Sequence, residues 1–321
     1  MRHSVELVPV RDRERWIAAH AADGRPSQSW NYAWGLCAFG IEPTLAVVDA
    51  GGARMLMPFF ERGYAGTTDV ATTVGLSGAS SSCGSAAPFE RWRAFAEERG
   101  WVAGYAQLDI YEPAAASLPP AEVVAGKTTL VLDLDAYAER PPPSRNLQQK
   151  IEAMREAGAT ALLDPRRAGE ALAQLYPQTL ARFGTPASHA FGPQTLARWC
   201  DDPTSLALGA EVDGVCIAVA LFLTAGPRAE WWLIGSTDRG RAASAWLIDE
   251  AAKRLRERGV RWLNLGGGAE PDDGLYRFKR RFGAEPHTQY GLRQVYDGAT
   301  YDELCRAAGV TPAAPRFPAY R

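Results

Sequence analysis

The run DDGLYRFKRRFGAEP, Asp272 to Pro286, sets a lysine among phenylalanines. At about 100° of rotation per residue, placing Leu275 at zero puts Phe282 at about −20°, Phe278 at about −60° and Lys279 at about +40°. Leu275, Phe278 and Phe282 then share an apolar stripe with Lys279 at its edge, while Arg277, Arg280 and Arg281 take the far, solvated side. A cation beside a buried face is costly without a partner. Lys279 therefore either snorkels past the phenylalanines to water or meets an anionic ligand. Asp272 or Asp273 can cap the helix start, Gly283 its end, and Pro286 prevents continuation. Just upstream, Gly266, Gly267 and Gly268 close the strand VRWLNL, where missing side chains either make a plain turn or let a ligand approach the backbone. Asn264 faces away from Leu263 and Leu265, so that side chain or the glycine amides can orient a substrate carbonyl.

Other catalytic patterns are missing. The glycine run matches neither a dinucleotide fingerprint nor a phosphate loop, and there is no G-x-S-x-G elbow and no H-E-x-x-H pair. His3, His20, His189 and His287 are isolated, and the five cysteines (Cys37, Cys83, Cys200, Cys216, Cys305) never fall in a C-x-x-C spacing. The cysteines read as reduced, mostly core thiols, and no metal is expected. A net charge of −2 and a pI of about 6.2 supply no field for long nucleic acid, so any such partner is gripped locally. Lys253, Arg254, Arg256, Arg258 and Arg261 form either such a contact or a solvated helix face. The N-terminus lacks a signal-peptide core, and no run reaches the roughly 18 apolar residues that cross a bilayer, so the expectation is a cytoplasmic protein without membrane insertion.

The elements that must hold Lys279 are legible in outline. Thr44 to Phe60 and Ser205 to Leu223 each show two apolar runs joined by an Asp- and Gly-containing turn, the pattern of two hairpins and of two related halves rather than one continuous sheet. Between them, AERPPPSRN cannot hold a helix, because consecutive prolines lack amide donors. This places a boundary between residues 1–143 and 144–321. Helices are expected over Ala87–Arg99 and Asn146–Ala157, and GLSGASSSCGS reads as a flexible connection. After the second hairpin come a strand Arg228–Ser236, a helix ending at Gly259, the strand VRWLNL, the lysine-bearing helix and a final strand HTQYGLRQVYD. That order describes a mixed α/β layer in which ligands sit at strand ends.

The runs WWLIGSTDRGRAASAWLIDEAAKRL and WLNLGGGAEPDDGLYRFKRRFGAEP resemble the FemAB family of aminoacyl-tRNA-dependent transferases, above all in the F-K-x-x-F-G element (Phe278, Lys279, Phe282, Gly283). SQSWNYAW, Met57-Pro58-Phe59, QLDIYEP and LYPQTLARFGTP extend the resemblance. It implies an α/β fold of two GNAT-like domains, each a mixed β-sheet flanked by helices. It further implies transfer of an amino acid from the acceptor end of aminoacyl-tRNA to the amine of a small-molecule or peptide acceptor, with no cofactor. By position Lys279 would stabilise the electrophile, Asp109 would receive the amine proton, and Arg182 would meet acceptor phosphates. Phe278, Trp232 and Trp30, within the resembling segments, are candidate substrate contacts with Asn264 and the glycines. Two departures stand out. No heptad-rich segment supplies the helical-hairpin insertion of the family's cell-wall members. The acyl-CoA pattern [QR]-x-x-G-x-[GA] begins here with Thr237, although Arg239 and Arg241 remain able to meet phosphates. The alternative activity is accordingly an acyl-CoA-dependent N-acyltransferase of the GNAT type. Either donor is already activated, so the protein need only align amine and carbonyl and stabilise the oxyanion.

Overall fold

Both hairpins form where the turn residues demand them. A computed structural model describes residues 4–139, 144–184, 190–268 and 270–321. In it β1 (Ser4–Pro9), α1 (Arg13–Asp23) and α2 (Trp30–Cys37) precede the first hairpin, β2 (Thr44–Ala50) and β3 (Ala53–Tyr64). Its turn is closed by Gly51 and Gly52, whose positive φ values of 61° and 79° suit glycine. There follow β4 (Thr67–Thr72), β5 (Ser80–Ser81), α3 (Ala87–Glu98), β6 (Ala103–Gln107), β7 (Val123–Asp133) and α4 (Leu134–Glu139). The boundary expected at 143/144 adjoins residues 140–143, which lie outside the described residues.

The second half opens with α5 (Arg145–Glu156), β8 (Thr160–Leu162), α6 (Pro165–Arg182) and α7 (Pro193–Cys200). Then come the second hairpin, β9 (Leu206–Val212) and β10 (Val215–Ala225), and β11 (Arg228–Ser236), α8 (Ala243–Glu257), β12 (Trp262–Asn264), α9 (Gly274–Arg280), β13 (Glu285–Val295) and α10 (Gly298–Ala307). Strand β10 is apolar and buried from Ile217 to Leu223 because both of its faces are covered there. Ala218, Ala220 and Phe222 pack into the core shared with α5 and α8, whereas Val219, Leu221 and Leu223 pack into the one shared with α6 and α7. Asp164 caps α6 by accepting from the Arg167 amide at 2.8 Å, and Pro165 takes the first-turn position that needs no amide donor.

The two halves do not keep separate sheets, as the repeated hairpin suggested. One mixed sheet of thirteen strands runs β1-β2-β3-β4-β6-β13-β7-β12-β11-β10-β9-β8, with β5 joined to β3. The exchange at its centre explains the continuity: β13 of the second half inserts between β6 and β7 of the first, and β7 pairs in turn with β12. Helices flank the sheet on both faces. Among the described residues no helix is long and apolar enough to cross a membrane.

Candidate active site

The cavity around Lys279 arises where two parallel strands part. Strands β11 and β12 pair only from Arg228 with Trp262 to Glu230 with Asn264. Beyond that point β11 runs on to Ser236, while the backbone after β12 turns away through Leu265, tied to β7 by its amide to the Leu130 carbonyl at 2.8 Å. The gap is a cavity of about 520 Å³ at the carboxyl end of β12, where α/β sheets commonly bind ligands. Residues of β11, the end of α6, the start of α8 and α9 line it, with Lys150 from α5.

Helix α9 is capped by Asp273, whose carboxylate accepts from the Tyr276 amide at 2.7 Å, and it is shorter and differently turned than rotation alone predicts. Lys279, not Leu275, is its innermost residue: the lysine is 6% exposed and Leu275 42%. The reason is the glycine loop beneath it. Lys279 Nζ donates to the Gly267 carbonyl at 2.7 Å and stands 5.4 Å from the centre of the Trp231 ring. Burial lowers its pKa to about 8, against which the nearby Asp273 works. The glycines are required for this approach. A Cβ on Gly267 would stand 2.3 Å from the Thr128 carbonyl, and Gly266 adopts a φ of +69° with Lys279 Nζ close by.

Not every expected residue reaches the cavity. Phe278, Arg182, Trp232 and Arg241 line it with Lys279. Arg182 donates to Ser236 Oγ at 2.8 Å and to Thr179 Oγ1 at 3.1 Å, and lies 3.6 Å from the exposed Asp238. Asn264 serves the loop itself, since its Oδ1 accepts from Thr129 Oγ1 at 2.5 Å and from the Gly266 amide at 2.8 Å. That carboxamide oxygen and that glycine amide are occupied by each other rather than aimed at a carbonyl. Arg239 lies on the surface, 4.0 Å from Asp213.

Asp109 sits just beyond β6 rather than within a strand, bonded to Arg25 Nε at 2.7 Å and buried, and it does not line the cavity. Burial raises its pKa against the pull of Arg25 and Arg228. Trp30 stacks on Trp34 at 5.5 Å and donates to the Val10 carbonyl; it too lies away from Lys279.

The sequence reading missed several contributors. Lys150, Trp231 and Ser236 line the cavity, and Trp231 was visible as the apolar neighbour of Trp232. The Ser-rich segment is no flexible connection. It carries β5 and is buried over residues 77–81: Ser80 bonds Gln28, Ser81 bonds Glu112, and Ser77 bonds Glu230. Glu230 of β11 is 3% exposed, also accepts from Ser27 Oγ at 3.3 Å, and has no partner for Oε2 among the described residues. Burial pushes its pKa up to about 7. A glutamate inside the apolar run RAEWWLIGS was the signal for it. Among the described residues no cluster of His, Cys, Asp or Glu could hold a metal.

The fold is of the GNAT acyltransferase kind: residues 144–280, which hold both of the parting strands, match the family model described as an acetyltransferase (GNAT) domain. Over nearly its whole length the chain has the fold of FemX, with a TM-score of 0.70 at 11% identity, covering 94% of this chain and 99% of that one. The L-PGS structure from Bacillus licheniformis superposes with a TM-score of 0.62 at 14% identity, covering 88% of this chain and 92% of that one. The C-terminal domain of a putative lysylphosphatidylglycerol synthetase from Agrobacterium fabrum does so with 0.59 at 18% identity, covering 90% and 93%. No curated protein sequence matches the chain.

Proposed function

We propose that this protein is an acyltransferase that moves an aminoacyl group from aminoacyl-tRNA to the amine of a small-molecule or peptide acceptor. One observation carries the reading: a buried lysine at the floor of a cavity lined also by Lys150, Arg182 and Arg241, with no carboxylate among the described lining residues. Such a cavity favours a polyanionic donor. The F-K-x-x-F-G element around Lys279 and the likeness to the FemX fold support tRNA as that donor.

The reaction needs little chemistry from the protein. The acceptor nitrogen attacks the ester carbonyl, the carbon–oxygen bond to the ribose breaks, and the proton lost by the amine goes to the departing ribose oxygen. An ammonium has three N–H donors. Lys279, bonded once to Gly267, turns the others to the carbonyl oxygen as its negative charge develops. With a pKa of about 8 it is still mostly charged at neutral pH. Lys150, Arg182 and Arg241 hold donor or acceptor phosphates and so set the alignment. Asp109, ion-paired with Arg25, acts on the surrounding structure rather than on the amine.

A second reading rests on the family-model match over 144–280: acyl-CoA as donor, its pyrophosphate at the turn Arg239–Ala242 that leads into α8. Radiolabelled aminoacyl-tRNA and acyl-CoA, each offered with a panel of amines, separate the two. Transfer from tRNA that is lost in Lys279→Met supports the first; transfer from the thioester and never from tRNA refutes it.

A further inference from the structure

We propose that the cavity beside Lys279 selects a bulky apolar acyl group, aromatic or branched aliphatic, over a small one such as glycyl or acetyl. The proposal rests on the acyltransferase reading above and specifies its donor. If the acyl carbonyl oxygen bonds Lys279 Nζ at ordinary hydrogen-bond length, the substituent on that carbonyl lies within reach of the Trp231 indole, whose centre is 5.4 Å from the same nitrogen. Phe278, the preceding residue on α9, lines the same space.

The rim continues this apolar surface into solvent. Leu275 is 42% exposed and Phe183, at the end of α6, is 74% exposed, and both line the cavity. A single exposed apolar residue needs no explanation, but two at one mouth, continuous with an indole and a phenyl ring within, mark a surface built to be covered. Cations share the cavity's walls: Lys150 on α5, Arg182 on α6 beside Phe183, and Arg241 before α8. The cavity thus offers cations for the phosphates of the donor and, at Trp231 and Phe278, apolar surface next to the reacting carbonyl. Its volume of about 520 Å³ falls in the range of roughly 300–1,000 Å³ typical of sites that enclose whole ligands, far more than a glycyl group fills.

The test compares pairs of stable analogues that differ only in the acyl group. The pairs are adenosine bearing phenylalanyl or glycyl through a 3′ amide, and coenzyme A bearing a phenylethyl or methyl thioether. Each is titrated calorimetrically into the full chain and into Leu275→Ser and Trp231→Ala. In the series that binds, the bulky member binds at least about 10-fold more tightly, the discrimination an apolar pocket achieves for a few carbon atoms. Leu275→Ser, a change at an exposed position, narrows that ratio by weakening the bulky member more than the small one. Equal affinities, tighter binding of the small member, binding of neither series, or a ratio that both substitutions leave intact overturns the proposal. Transfer assays with phenylalanyl- and glycyl-tRNA, and with phenylacetyl- and acetyl-CoA, keep the two ideas apart. Transfer without preference for the bulky group removes this inference and leaves the acyltransferase reading standing. Absence of transfer from every donor removes that reading.

Discussion

Replacing Glu230 with glutamine should stabilise the protein, and only at higher pH. The side chain lies on β11 at the seam between the two halves, where Ser27 and Ser77 of the first half donate to Oε1 and Oε2 is left without a partner among the described residues. Burial disfavours the carboxylate more than the two hydroxyls favour it, and Asp109 adds repulsion, so the pKa rises from 4.5 to about 7. A raised acid pKa means that ionisation is easier in the unfolded chain. Stability is therefore undiminished below about pH 4.5, falls as pH rises toward 7, and stays at the lower level above it. At about 1.4 kcal/mol per pH unit, the interval from 4.5 to about 7 corresponds to roughly 3 kcal/mol. Glu230→Gln keeps the shape and an acceptor for the serines but cannot ionise. Its Tm should match the parent at pH 4.5 and exceed it at pH 8 by about 6 °C, taking about 2 °C per kcal/mol for a chain of this size. Differential scanning fluorimetry of the two proteins from pH 4.5 to 8 gives the difference curve directly. A flat difference, or a variant less stable than the parent at pH 8, would refute the reasoning, for the carboxylate would then be a satisfied anion.

Lys279→Met should lower kcat/KM by about 10²–10³-fold, the scale of losing one oxyanion donor, without lowering Tm at pH 7. The second half of that statement follows from the sign of the shift: burial penalises the cation and brings its pKa down to about 8, so removing the charge relieves a cost. In the parent protein kcat/KM should fall above about pH 8 as the ammonium deprotonates, and a profile flat from pH 7 to 10 would exclude Lys279 as the donor of that hydrogen bond. Gly267→Ala should cost about 10²-fold in activity, because a Cβ placed 2.3 Å from the Thr128 carbonyl must shift the loop whose own carbonyl holds Lys279. Gly274→Ala, whose Cβ meets nothing within 4 Å, is the silent control for both activity and Tm.

What could be read from the chain was whatever short-range rules decide. The two hairpins announced themselves through Gly51-Gly52 and Asp213-Gly214, the latter pair taking φ values of 54° and 75°. Strand β11 was expected over Arg228–Ser236 and forms over that span. Lys279 was noticed because a cation interrupts an apolar stripe. Its true depth was not legible, since helical rotation describes only the helix, while the partner that buries Lys279 is a glycine loop held in place by a different part of the sheet. The serines of GLSGASSSCGS were misread for the same reason. Their partners Gln28, Glu112 and Glu230 are distant in sequence, and a polar run looks like a loop until those groups are placed against it.

The strand exchange ties these misreadings to one cause. Leu130 of β7 donates its amide to Gly266 and accepts from Leu265, and Thr129 of the same strand holds the Asn264 carboxamide that receives the Gly266 amide. Val131 of β7 also pairs with Glu285, at the start of the strand that follows α9. The loop beneath Lys279 and the strand behind its helix are therefore both registered by a segment of the first half. A β7 displaced by one residue would turn Thr129 and Val131 to the wrong faces and withdraw the Asn264 bond. The position of the lysine is then a property of the joined sheet, and the second half, although it carries the residues of the GNAT match and the cavity lining, cannot set the height of Gly267 under Lys279 by itself.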